Sequence, residues 1–267
     1  MSTDDIHPPD RFATVPVDIA TEELGDPTLA VRLATDAGRL LLRIRDELGF
    51  AEPTTLREAG DARSQQLLAR ALSRHRPHDA VLSEEAVDDP ARLNAERVWI
   101  IDPLDGTREF AEPGRTDWAV HVALWQAGEL VFGAVALPAL GITLSSGGPL
   151  PQRRPPGRPP RLVASRTRPP QIVAEVAEAL GATIVPMGSA GAKVSAVIRG
   201  EADIYLHAGG QYEWDSAAPV AVARAAGLHT SRIDGSPLEY NRPDPLLPDL
   251  LVCDPALAEP VLEAIRR

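Results

Sequence analysis

Residues 98–107 read Val98-Trp99-Ile100-Ile101-Asp102-Pro103-Leu104-Asp105-Gly106-Thr107. Four apolar residues in a row, with no polar alternation, predict a strand covered on both faces. The strand is expected to end at Asp102, where a proline and then a glycine shape a turn between two carboxylates. An i,i+3 pair in a turn converges on one point, whereas the alternating faces of a regular strand would part them. Pro103 spends no N–H inside the turn, and Leu104 offers its carbonyl. Gly106 and Thr107 are read as opening a helix whose free N–H groups suit an anion. Close carboxylate oxygens are what a hard divalent cation requires. The stretch therefore points to divalent metal chemistry on a phosphate, with helix capping by Asp105 and Thr107 as the plainer alternative.

Upstream, Leu29, Leu33, Ala37, Leu40, Leu41, Ile44 and Leu48 recur at helical spacing, and Gly49 ends the pattern. A polar loop is expected through Glu52 and Glu58. Asp61 then precedes a second helical pattern over Leu67, Leu68, Ala71 and Leu72, ended by Pro77. Ala80-Val81-Leu82 is a strand candidate with Glu84 and Glu85 just past its end. Strands 118–124 and 130–137 flank Gly128 as a hairpin. Residues 147–160, GGPLPQRRPPGRPP, are proline-rich and basic, hence an exposed connector or flap. Beyond them strands are expected at 161–164, 183–185, 203–206 and 250–253, and helices at 171–180, 190–198, 216–226 and the C-terminus. The division is thus a loose lead-in (1–26), an α+β domain with an antiparallel sheet (27–146), the connector (147–160) and an α/β domain (161–267).

The chain has 267 residues, 44% hydrophobic and 24% charged, which suits one large or two ordinary globular domains. A formal net charge of −11 disfavours a nonspecific grip on nucleic acid, which needs a basic surface. Small anionic substrates stay open, because a bound cation reverses the local sign. Cys253 is the sole cysteine, so no intramolecular disulfide forms and a cytoplasmic location is expected. The N-terminal residues lack the apolar core of a signal peptide. No run approaches the roughly 20 apolar residues that span a bilayer, so a membrane is not an expected partner.

The stretch Asp102-Pro103-Leu104-Asp105-Gly106-Thr107 resembles the first motif of the inositol monophosphatase superfamily, an apolar-flanked D-P-[ILV]-D-G-[ST]. The second motif, W-D-x-A-A before a helix ending in Ala-Gly, is matched by Trp214-Asp215-Ser216-Ala217-Ala218 through Ala226-Gly227. An acidic pair upstream is matched by Glu84-Glu85, although Ser83 stands where glycine is usual. The resemblance runs from about Thr28 to the C-terminus. It implies a layered αβαβα sandwich and two or three Mg²⁺ ions. Glu84, Asp102 and the Leu104 carbonyl would hold one ion, and Asp102, Asp105 and Asp215 a second. Gly106 and Thr107 would contact the scissile phosphate. Asp61, with the Thr107 hydroxyl, would deprotonate the nucleophilic water. Simpler readings stand beside these: Asp61 as the N-cap of the following helix, Glu84 as a solvated acid, and Asp215 as a helix cap. Were Ser216 the cap, Pro219 would fall in the first turn and Asp215 would be released.

Three details are similar to the CysQ-like branch, the 3'(2'),5'-bisphosphate nucleotidases: Arg108-Glu109-Phe110, Glu213 before Trp214-Asp215, and the pairs Ala164-Ser165-Arg166 and Gly188-Ser189 with Lys193. The second phosphate of such a substrate needs a cation away from the metals. Arg166, Lys193 and Arg108, with Ser165 and Ser189, are the candidates, against Lys193 as an ordinary helix-surface lysine. Tyr205, Tyr212, Trp118 and Trp125 are the aromatics that could face an adenine. His121 and His207, on strands, read as satisfied structural histidines. The resemblance implies a Mg²⁺-dependent phosphomonoesterase converting 3'-phosphoadenosine 5'-phosphate to AMP and phosphate in sulfur metabolism. Inhibition by Li⁺ and a homodimer are also expected. The alternatives are an inositol monophosphatase, a broad sugar phosphatase with fructose-1,6-bisphosphatase activity, and a noncatalytic phosphometabolite sensor.

Overall fold

Val98 and Ile100 point into one buried core while Trp99 and Ile101 point into another. An unbroken apolar run is what a strand with two covered faces requires, and the rest of the fold is built around it. The computed structural model describes residues 24–151 and 159–267. Residues 1–23 of the expected lead-in and half of the proline-rich connector, 152–158, lie outside them. Within them, Asp26 already belongs to the first helix, where it accepts from Arg76 at 2.7 Å and Arg97 at 2.9 Å.

The first sheet runs β1(Ala80–Ser83), β2(Arg97–Asp105), β3(Ala119–Gln126), β4(Glu129–Leu137), β5(Ile142–Ser145) in spatial order. β1 and β2 are parallel and the remaining pairs antiparallel. The expected hairpin joins β3 to β4 through Ala127-Gly128. The helices α1(Asp26–Leu48) and α2(Pro53–His75) cover one face through Leu29, Leu33, Leu41, Ile44, Leu56 and Leu68.

The second sheet contains β6(Arg161–Ser165), β7(Thr183–Met187), β8(Ile204–Tyr212), β9(His229–Ser231) and β10(Leu246–Cys253) in the order β7-β6-β8-β10-β9. Between the sheets lie α5(Ala190–Ile198) and α6(Glu213–Ala225), which share one core with Ile100 and Val135 on one side and Tyr205 and Val252 on the other. The outer face of the second sheet packs on α4(Gln171–Leu180) and α7(Pro255–Ile265) through Val173, Val176, Val261 and Leu262. The single turn α3(Thr107–Phe110) follows β2. The layers are therefore αβαβα, as expected. No helix among the described residues is long and apolar enough to cross a membrane.

Four local readings need correction. β2 does not end at Asp102 but continues to Asp105. The loop expected through Glu58 is helix, because α2 starts at Pro53, so Asp61 lies inside α2 and caps nothing. α6 starts at Glu213 rather than Ser216, which puts Pro219 in the helix interior. β5 and β9 are short edge strands that the sequence pattern did not announce.

Candidate active site

The two carboxylates of the turn converge by a β-bulge. Along β2 and β3 the pairs are Ile100↔Ala123, Ile101↔Val122 and Asp102↔His121, after which Asp105 faces Ala119. Three steps on β2 thus match two on β3. The extra residue restores the facing that i,i+3 spacing would otherwise lose. Asp102 and Asp105 consequently share the face of His121, toward α5 and α6. Inside the bulge, Leu104 N donates to Asp102 Oδ1 at 3.0 Å, and Ser64 Oγ of α2 donates to the Pro103 carbonyl at 2.7 Å.

Asp105 reaches across to the start of α5. It accepts from Ser189 Oγ, from Ala190 N at 3.2 Å and from Gly191 N at 2.6 Å. Asp215 comes from the first turn of α6, where Oδ2 also accepts from Tyr212 N at 2.6 Å. Asp215 is therefore not the N-cap of α6 but its third residue; it holds the N–H of Tyr212, which stands at the cap position, and this does not remove it from the site. Ligand atoms of Asp102, Asp105 and Asp215 all lie within 4.8 Å of one another. Asp102 Oδ2 is buried and meets no hydrogen-bond donor. A desolvated carboxylate oxygen without a donor is costly unless a cation meets it. An all-oxygen set of this kind fits a hard divalent ion.

The electrostatics follow from crowding. Burial, then Glu84 and Asp105, push Asp102 well above the usual carboxylate range. Burial, then Asp105, raise Asp215 to about 6. Burial, then Asp215 and Asp105, raise Glu84 to about 7. Glu84 belongs to the turn after β1 and is largely exposed as a residue, but its carboxyl meets that of Asp102. Two carboxylates contact each other only with a proton or a cation between them. Asp105 goes the other way: burial would raise it, but His121 and the donors of α5 outweigh that and hold it at about 2.

Gly60 carries the second part of the site. A Cβ there would lie 2.8 Å from the Phe110 ring and 2.9 Å from Leu104. Its absence lets α2 press onto the turn and brings the next residue, Asp61, to Thr107. Thr107 Oγ1 donates to the Leu104 carbonyl at 3.1 Å and approaches Asp61 Oδ1 at 3.4 Å. Burial, then Glu85, raise Asp61 to about 7. The helix expected at Gly106 is only the four residues of α3, too short to carry a sizeable dipole.

Of the residues considered for the substrate, Gly106 and Ser189 touch: a Cβ on Gly106 would lie 2.9 Å from that of Ser189. Ser189 also caps α5, accepting from Ala192 N at 2.9 Å. Lys193 is no surface lysine; it is buried, donates to the Gly188 carbonyl and lies 5.3 Å over the Tyr205 ring. Burial lowers its pKa, opposed by Asp105 and Glu109. Arg166 Nε donates to Glu109 Oε1 at 2.8 Å and Nη2 donates to Glu112. Arg108 is exposed, and Ser165, at the end of β6, accepts from Arg168 N at 3.2 Å. Trp118 and Tyr205 are fully buried, whereas Tyr212 is 44% exposed and stacks on Trp214 at 4.7 Å. Glu213 is buried and holds the backbone N–H of Asn241 and Arg242, at 2.6 and 2.8 Å. A strand histidine such as His121 reads as structural from its sequence; the fold puts it against the carboxylates of Asp102 and Asp105. Its only sequence signal is its position on a strand beside the acidic turn.

An acidic, cation-fitting cluster between β2 and the first turns of α5 and α6, with a hydroxyl and a near-neutral carboxyl beside it, defines a metal-dependent phosphatase site in an αβαβα sandwich. The family model described as "Inositol monophosphatase family" matches residues 28–266, and the chain belongs to this family. Among curated relatives, the 3'-phosphoadenosine 5'-phosphate phosphatase of Mycobacterium bovis is 55% identical over 243 residues, covering 86% of this chain and 89% of that one. That of Mycobacterium leprae is 52% identical over 256 residues, covering 91% and 94%. Among solved structures, CysQ from Bacteroides thetaiotaomicron superposes with a TM-score of 0.68 at 27% identity, covering 85% of this chain and 96% of that one.

Proposed function

We propose that this chain is a Mg²⁺-dependent phosphomonoesterase that removes the 3'-phosphate of 3'-phosphoadenosine 5'-phosphate, releasing AMP and phosphate. The convergence of Asp102, Asp105 and Asp215 on one point, beside Asp61 and Thr107, carries the chemistry. The high identity to the two mycobacterial phosphatases supports the substrate. Asp102, Asp105 and Asp215, with Glu84 and the Leu104 carbonyl, would hold two or three Mg²⁺ ions. Such ions, when bound, neutralise phosphoryl oxygens and acidify water.

The chain's own residues do the rest. The Thr107 hydroxyl gives its proton toward Leu104 or Asp61, which leaves its lone pairs free to orient a water. Asp61, poised near neutrality, takes the proton from that water. Gly106 offers its backbone to the scissile phosphate. Lys193, Arg166 and Arg108, with Ser165 and Ser189, meet the second phosphate, for which Arg166 exchanges part of its hold on Glu109 and Glu112. The chain acts as a homodimer on a small nucleotide, not on nucleic acid.

Phosphate release from the purified chain with Mg²⁺ tests the reading. The value of kcat/KM for 3'-phosphoadenosine 5'-phosphate is expected to exceed those for inositol 1-phosphate and fructose 1,6-bisphosphate. A preference for inositol 1-phosphate would overturn the substrate assignment.

A further inference from the structure

We propose that His121 is a positioning residue that sets the spacing between the carboxylates of β2 and the carboxylate of α6. Gly191 is the seat of its ring. The inference rests on the metal site proposed above. His121, the third residue of β3, is fully buried on the same face as Asp102 and Asp105. Nδ1 lies 3.0 Å from the carbonyl of Trp214, the residue before Asp215. Nε2 lies 3.2 Å from Asp105 Oδ2, off the ideal hydrogen-bond direction. The ring therefore spans from one ligand-bearing element to the other.

Gly191 closes the arrangement from below. A Cβ at that position would lie 2.0 Å from His121 Nε2. No real contact is that short, so any larger residue expels the ring. The same glycine gives its N–H to Asp105 Oδ2 at 2.6 Å. One carboxylate oxygen is thus flanked by the ring and by the backbone the ring rests on. Without the ring, Asp105 would keep its α5 donors, but nothing polar would tie it to the Trp214-Asp215 segment. A change in the Asp105-to-Asp215 spacing would alter the grip on a cation that both must touch. Residues behind a first ring of ligands typically contribute on the order of 10–100-fold in metal affinity.

Calorimetric titration of the full chain with Mg²⁺ alone, alongside melting temperatures without metal, tests this. His121→Leu is expected to weaken Mg²⁺ binding on the order of 10–100-fold, with kcat recovering toward the native value at saturating Mg²⁺. His121→Asn, which restores one donor, should recover part of the affinity. Gly191→Ala should reproduce the loss by displacing the ring. The double variant His121→Ala/Gly191→Ala fills the vacated space without polar contacts, so its melting temperature should recover while its affinity should not. Native-like affinity in His121→Leu, or in the double variant, would sink the proposal. If His121→Leu does not fold, native-like affinity in Gly191→Ala or a His121→Asn value no better than that of Gly191→Ala does the same. A native chain that takes up no Mg²⁺ overturns the metal reading instead, which keeps the two failures apart.

Discussion

Asp61 stands in the interior of α2, yet its chemistry belongs to the turn after β2, because Gly60 lets the helix close onto Leu104 and Phe110. Its carboxyl is raised to about 7 by burial and then by Glu85, so near neutrality it can accept a proton and give it up again. Asp61→Asn keeps the size and removes the base. The expected result is a fall in kcat on the order of 10²–10⁴-fold with KM little changed, read from steady-state kinetics on the nucleotide. An equal rise in KM with kcat intact would place Asp61 in binding instead. Asp105→Asn is a different case. Its oxygens already accept from Ser189, Ala190 and Gly191, and an amide nitrogen there would confront donors with a donor. Turnover should be abolished and Mg²⁺ binding lost, while far-UV circular dichroism stays native. Near-normal activity with Mg²⁺ would remove Asp105 from the metal set.

At the scale of elements, the start of α5 is where the site is held together. Ser189 caps this helix and donates to Asp105 with the same hydroxyl. Ser189→Ala should cost about 1–2 kcal/mol in urea unfolding, from the lost cap and a buried carboxylate short of one donor. A change below about 0.5 kcal/mol would mean that water replaces the hydroxyl. The elements also divide what the sequence discloses from what it hides. The apolar run at 98–101 exposes a strand with two covered faces, and the periodic leucines of α1 expose a helix. The bulge is not legible, since nothing in Asp102-Pro103-Leu104-Asp105 tells a turn at the end of a strand from an extra residue within one. Helix starts fail for a related reason. Pro53 and Glu213 open α2 and α6 without a strong capping side chain, so Asp61 and Ser216 looked like better starts. The substrate signature fares differently again. Glu109 and Arg166, separately suggestive in sequence, form an ion pair from α3 to the end of β6. Glu213 secures the segment at 241–242. Part of the pattern that marks the branch therefore holds the first half of the chain to the second, a tertiary fact that local spacing does not carry.

For the whole molecule, the site sets the pH dependence of stability. Asp61 and Glu84 are raised to about 7, Asp215 to about 6, and Asp102 well above its ordinary value. A carboxyl whose folded pKa lies above its unfolded one contributes stability that is complete below the unfolded value and is lost as pH rises through the folded value. Without metal the chain should therefore lose melting temperature between about pH 4 and about pH 7. Asp105, held at about 2, acts oppositely only below the ordinary carboxylate range, and His207, which burial lowers to about 4 from 6.5, opposes part of the decline, but one histidine does not outweigh four raised carboxyls. A divalent cation replaces the protons that the crowded carboxylates would otherwise retain, so affinity rises with pH over the same window. Mg²⁺ at about 100 times its Kd should add about 2.7 kcal/mol to unfolding stability. It should also flatten the decline, and a chelator should restore it. Differential scanning calorimetry at about pH 5 and about pH 8, with Mg²⁺ and with chelator, reads both effects. A metal-free melting temperature that is level across that range, or one that rises, would mean that the carboxyls of β2, α2 and α6 are not crowded in the way their positions require.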